Sequence, residues 1–501
     1  MKLVLRRYPG HLAMILALAS CGTPFVSSQT QAASSTKPAV TSEVAQHIQR
    51  VEAGLIAGIV VKGDPHATHN LADRMKELNV HGVSIAVLHN GSIEWARGFG
   101  VAAVGGPDVD AETMFQAGSI SKPVATMAAL RLVEQGKLSL DVDINTLLKS
   151  WKLPADPVTG GKPVTLRELL THTGGTTVHG FPGYASNETV PSLVQVLNGE
   201  KPANTPAIRS EAAPGSKWNY SGGGFTIMQQ AVIDATGEPF PKVLHDIVLA
   251  PIGMTHSTYE QPLPASFHSF AATPYRGDGK PVEGGAHTYP EMAAAGLWTT
   301  PTDLARYAIE GEKSLQGKSN KVLSAEMTRQ MLTPGMGKWG LGLEIGGAAT
   351  NPYFSHGGVN EGFINIFVAY EKNGEGAVVM TNSDNGGALG DEIMHSIAVE
   401  YGWPDYQPKY RTVTSVDPKV LAQYPGTYEL QPGFNLVVTI ENGQLMGQAT
   451  GQDKIQLYPS SDTRFFLTVV DAEVEFFKDD QGKVTHLILH QGGRDMKAPK
   501  K

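Results

Sequence analysis

A single cysteine, Cys21, stands in 501 residues, so the chain can form no internal disulfide and no thiolate metal site. Basic charge is also thin: 40 Lys and Arg against 48 Asp and Glu leave a net charge of -8, with no basic cluster, which argues against nucleic acid as a partner. No interior run is apolar for long enough to span a bilayer. The sequence has no H-E-x-x-H, and His66 and His69 sit in a polar loop without neighbouring ligands, so no metal and no cofactor is expected. It also lacks a G-x-S-x-G elbow, which removes one common route to an activated serine.

The one long apolar run outside a folded pattern lies at the start. Lys2, Arg6 and Arg7 precede the segment from His11 to Cys21, the charged, apolar and small-residue order of a secretory signal. Leu18-Ala19-Ser20-Cys21 looks like a bacterial lipobox. Residues 1–21 are therefore expected to be a lipoprotein signal peptide with Cys21 lipidated, and 22–41 a flexible tether, rich in Ser, Thr, Gln and Ala. Gly22 stands where an aspartate would favour inner-membrane retention, so an outer-membrane anchor on the periplasmic face is expected. Soluble export to the periplasm, with cleavage near Thr30-Gln31-Ala32-Ala33, is the alternative.

Chemistry concentrates at Phe115-Gln116-Ala117-Gly118-Ser119-Ile120-Ser121-Lys122, ahead of an apolar helix that ends near Gly136. Pro123 suits a first turn, where its missing N–H has no partner to lose. Ser119 and Lys122, three apart, share a helix face. Burial and the positive end of the helix both disfavour an ammonium, so Lys122 is expected to be a neutral amine able to take a proton from Ser119 as nucleophile. Spacing alone is weak, since Ser34-Ser35-Thr36-Lys37 repeats it in the tether. Context separates the two.

Tyr220 follows on a glycine-rich loop, Ser221-Gly222-Gly223-Gly224, before another helix; it is expected to shuttle a proton if cationic charge lowers its pKa from about 10. His172, in Thr171-His172-Thr173-Gly174-Gly175, reads as a bracing residue rather than a catalyst. Further on, His356-Gly357-Gly358-Val359 lies between strand-like segments, where two glycines suggest a backbone laid bare against a ligand. Asn90-Gly91 between two strand-like runs is a hairpin signal, and a helical pattern covers Ser42 to about Val61.

Together these segments resemble the penicillin-recognising serine hydrolases, in the class C beta-lactamase, D,D-peptidase and esterase branch, over roughly residues 83–399. Ser119 and Lys122 match S-x-x-K, Tyr220 matches the tyrosine of Y-x-N, and His356-Gly357-Gly358 occupies the place of K-T-G or H-x-G. Gly222 replaces the asparagine of Y-x-N, and neither Y-x-N nor K-T-G occurs anywhere in the sequence. The resemblance implies an acyl-enzyme on Ser119, an oxyanion held by the N–H groups of Ser119 and Val359, and substrate contacts from His356, Gly358 and Gly222. The substrate implied is a small ester, amide or D-amino-acid peptide, with cell-wall peptides as one source. A beta-lactamase, or a sensor that is acylated without turnover, are the alternatives. His356 in place of lysine would carry full positive charge only below about pH 6.5, and Gly222 would leave an open wall.

The expected fold is α/β in the α+β sense: a beta-lactamase/transpeptidase-like domain over 42–405, with an antiparallel sheet, flanking helices and an all-helical lobe. A linker and a small lipocalin-like beta-barrel are expected over 406–501, where short alternating strands include Leu436–Ile440, Phe465–Val470 and Val484–Leu489. The lipid anchor is directly testable. Cys21→Ala should release the protein from membranes and abolish lipid labelling, whereas wild-type protein found only in soluble periplasm and beginning after residue 30 would refute the anchor.

Overall fold

The computed structural model describes residues 42–501. The expected signal peptide, Cys21 and the tether lie outside the described residues.

The sheet begins where Asn-Gly places it. Strands β1 (Gly82–His89) and β2 (Ser92–Gly100) form a hairpin whose turn residues Asn90 and Gly91 have φ of 52° and 71°, the left-handed pair a tight two-residue turn needs. Four later strands complete it: β3 (Glu344–Ala348), β4 (Asn351–Asn360), β5 (Phe363–Tyr370) and β6 (Gly376–Thr381). Their antiparallel order is β2-β1-β6-β5-β4-β3.

Strand alternation divides the core in two. Val83, Ile85 and Val87 with Ala377 and Val379 face helices α1 (Ser42–Ala53) and α5 (Gly386–Glu400). Ala86 and Leu88 with Val378 and Met380 face the larger core, which contains α2 (Ser121–Glu134), α3 (Gly222–Thr236) and α4 (Pro301–Leu315). Central strands covered on both faces read as continuous apolar runs for this reason.

The helix expected from Ser42 to about Val61 stops at Ala53. A Cβ at Gly54 would come within 2.7 Å of the Arg50 carbonyl oxygen, and the chain turns there into Leu55–Ile56 and Ile59–Val61. The latter pairs in parallel with Lys409–Arg411, so part of the expected linker is a strand bound to the N-terminal segment. After it, eight antiparallel strands from Gly426–Gln431 to Arg494–Pro499 curl into a nearly closed barrel, its first and last strands bridged at Tyr428 and Lys500. The strand expected over Phe465–Val470 is shorter, Arg464–Phe466.

One core group departs from the apolar pattern. Glu291 is 0% exposed, and among the described residues neither carboxyl oxygen has a hydrogen-bond partner. Burial pushes its pKa up to about 8, because an unpaired carboxylate in the interior is costly. Since the folded state holds this proton more tightly than the unfolded chain, stability should be greatest below about pH 4.5 as far as this group is concerned and fall as pH rises towards 8, by up to about 5 kcal/mol. Glu291→Gln should flatten that slope and raise the unfolding temperature at pH 8. An unchanged pH slope of Tm in the variant would disprove the assignment.

Candidate active site

The Ser119 turn is pinned before the helix starts. Phe115–Gln116 pairs with Trp298–Thr299, the Ala117 N–H donates to the Leu297 carbonyl at 2.8 Å, and a 3-10 turn over Gly118–Ile120 runs into α2. The Ser121 hydroxyl donates to the Gly118 carbonyl at 2.6 Å and accepts from the Leu297 N–H at 2.9 Å. From this turn Lys122 reaches back. Its Nζ lies 2.9 Å from Ser119 Oγ and donates to the Ala294 carbonyl at 2.8 Å. Lys122 is 2% exposed, and loss of hydration brings its pKa down to about 7. No carboxylate among the described residues pairs with it, and the amine is about half neutral at pH 7.

An open strand edge supplies the opposite wall. β3 pairs with β4 only as far as Ser355, so the outer edge of His356–Asn360 has no strand neighbour. The Ser119 turn packs there instead. A Cβ on Gly358 would meet the Ala117 carbonyl oxygen at 1.9 Å, and one on Gly118, which has φ of 54°, would meet the Val359 nitrogen at 2.5 Å. Only glycine permits this approach. Amide side chains fasten the seam: Asn360 Nδ2 donates to Gln116 Oε1 and to the Ala295 carbonyl, each at 3.0 Å, and Asn365 Nδ2 to the Gln116 carbonyl at 2.9 Å. Two backbone segments, at Ser119 and Val359, are thus held side by side.

Tyr220 completes the polar group. Its phenol faces the Ser119 side chain, and its ring centre lies 4.9 Å from Lys122 Nζ. Contrary to the expectation of a lowered pKa, burial holds the phenol above its ordinary value. Tyr220 therefore remains protonated and can relay a proton only by giving one while receiving another.

Gly222 opens α3, behind the Ser221 side chain that accepts from the Gly224 N–H at 3.0 Å. The expectation of an open wall at Gly222 needs correction, because a Cβ there would lie 2.8 Å from the Phe181 ring. An aromatic ring fills the direction an asparagine would take.

His356 is 6% exposed, with its ring 6.2 Å from that of Tyr220 and 5.2 Å from that of Trp339. Its Nδ1–H donates to the Gly357 carbonyl at 2.5 Å and its Nε2 has no partner. Burial, aided by nearby Lys122, lowers its pKa to about 3, so the charge expected below pH 6.5 does not develop there. His356 is a neutral ring in the wall rather than a cation. Trp339 stacks on Trp218 at 5.9 Å, and Trp218 keeps 36% of its surface exposed. His172, 1% exposed, lies against Tyr220 at 4.2 Å and Trp339 at 4.8 Å.

The fold thus gathers Ser119, Lys122 and Tyr220 within hydrogen-bonding or ring contact, lays Gly358 and Val359 along their edge, and sets His356 behind them. Phe181, Trp339 and the Ala294 carbonyl were not singled out from sequence, having no motif to mark them. A hydroxyl on a buried amine that is partly neutral at pH 7, beside a phenol and against the Gly358–Val359 backbone, can form and resolve a tetrahedral adduct at a carbonyl.

Family comparison agrees with this geometry. The Beta-lactamase family matches residues 67–399, and a domain family of unknown function, DUF3471, matches 410–498. A penicillin-binding protein of Bacillus subtilis is 21% identical over 85% of this chain and 96% of its own length. Esterase EstB of Burkholderia gladioli is 29% identical over 41% of this chain and 53% of its own. The structure of the octameric penicillin-binding protein homologue from Pyrococcus abyssi aligns with TM-score 0.58 at 21% identity, covering 85% of this chain and 98% of that one. With its fold, its Ser119–Lys122 pair and a family match across two thirds of its length, the chain belongs to the Beta-lactamase family.

Proposed function

We propose that the protein is an acyl-transferring serine hydrolase that cleaves small esters or peptide-like amides, D-amino-acid peptides included, in preference to penicillins and cephalosporins. The observation that carries this is the buried Lys122 amine at hydrogen-bond distance from Ser119 Oγ. As Oγ bonds to the substrate carbonyl carbon, its proton passes to Lys122 Nζ. The oxyanion takes hydrogen bonds from the N–H groups of Ser119 and Val359. On collapse the leaving group takes the Tyr220 proton and Lys122 restores it. Water then attacks the ester, giving its proton back through the same pair, and Ser119 is released.

Substrate preference follows from two walls. Phe181 blocks the space beside Gly222, and neutral His356 stands where the family carries a lysine. Neither position offers the amide or cation that would hold an acylamino carboxylate. Trp218, Trp339 and Tyr220 instead present rings, which favour an uncharged apolar group.

Because Lys122 acts unprotonated, kcat/KM for acylation should rise with pH through a midpoint near 7 and plateau above it; a flat profile between pH 5 and 9 would exclude Lys122 as the base. Comparing kcat/KM on nitrophenyl esters, D-alanyl peptides and a chromogenic cephalosporin tests the substrate class. The first two should exceed the third, and Ser119→Ala should abolish all activities alike. A cephalosporin value well above the others would make the protein a beta-lactamase. A Ser119 adduct that never clears would make it a sensor.

A further inference from the structure

His172 meets Tyr220 in several ways at once. Its carbonyl accepts the Asn219 N–H at 2.8 Å and its Nδ1 accepts the Ser221 N–H at 3.1 Å, so one residue holds the residues on both sides of Tyr220. Its imidazole lies on the tyrosine ring with centres 4.2 Å apart and planes at 34°. The Tyr220 carbonyl is taken in turn by His179 Nδ1. To do this His172 adopts φ of 58°, a left-handed conformation that costs a side-chain-bearing residue free energy and that histidine, asparagine and aspartate tolerate better than most. The acceptor role of Nδ1 leaves the proton on Nε2, which is buried without a partner, so the ring is not held by that end. Contacts with Phe225 at 5.3 Å and Trp339 at 4.8 Å fix its plane.

We infer that His172 is the positioning residue of the proton relay: it holds Tyr220 in line with Ser119 by clamping the backbone on either side and stacking on the ring. This rests on the relay assigned to Tyr220 above. A misplaced phenol matters most when the departing group needs a proton. An alkoxide from an unactivated ester needs one, whereas nitrophenolate leaves without it.

The experiment compares an alkyl ester and the 4-nitrophenyl ester of the same acid in wild type, Tyr220→Phe, His172→Gly and His172→Asn. Glycine takes the left-handed backbone without strain and removes both ring and acceptor. Asparagine tolerates that backbone and places an oxygen at the same bond distance from the chain as Nδ1, so it keeps the clamp without the stack. Tyr220→Phe should lower kcat/KM on the alkyl ester roughly 100-fold or more and His172→Gly by a smaller factor, both mostly in kcat and with a much smaller loss on the nitrophenyl ester, and His172→Asn should recover part of the loss seen in His172→Gly. Thermal unfolding of each variant shows whether it is folded. Equal losses on both esters in His172→Gly, no loss at all in the folded variant, or no recovery by asparagine would overturn the inference while leaving the relay standing. Equal losses in Tyr220→Phe would overturn the relay and the inference with it.

Discussion

The burial of one amine governs the chemistry of the site. Lys122 sits on a helix that is buried on nearly every side, and the two polar atoms it touches are a serine hydroxyl and a backbone carbonyl. Neither compensates an ammonium as a carboxylate would, so desolvation prevails and the amine titrates near neutrality. The same apolar surroundings keep Tyr220 protonated and keep His172 and His356 neutral, both histidines being disfavoured further by proximity to Lys122. A site with four titratable side chains thereby has a single group changing charge near pH 7.

That electrostatic arrangement depends on close backbone packing between two parts of the chain far apart in sequence. The Ser119 turn comes from the helical side and the Gly357–Val359 edge from the sheet, and they approach so closely that a methyl group at Gly118 or Gly358 would collide with main-chain atoms. Gln116, Asn360 and Asn365 tie the seam together through side-chain amide hydrogen bonds. The placement of Ser119 is therefore a property of the joint between sheet and helices, not of either alone.

The barrel is tied on by modest means. Ile59–Val61 and Lys409–Arg411 form a short parallel pair, and Lys409 and Arg411 make ion pairs with Asp471 and Glu473 on the barrel. Exposed pairs of this kind contribute little each. The barrel's own cohesion comes from a separate core around Tyr424, Tyr428, Phe465 and Phe476.

The sequence by itself determined the parts whose physics is local. Helix periodicity put Ser119 and Lys122 on one face, Asn90-Gly91 specified a left-handed turn, and the glycines around His356 announced a bare strand. Tertiary structure decided what depends on neighbours distant along the chain. Whether Gly222 opened a space was settled by Phe181, the charge of His356 by burial and by Lys122, the pairing of Ile59–Val61 by a strand 350 residues downstream, and the packing of His172 on Tyr220 by a loop 48 positions away. Desolvation and steric occupancy are sums over everything that surrounds a group, and a sequence pattern names the group without naming its surroundings.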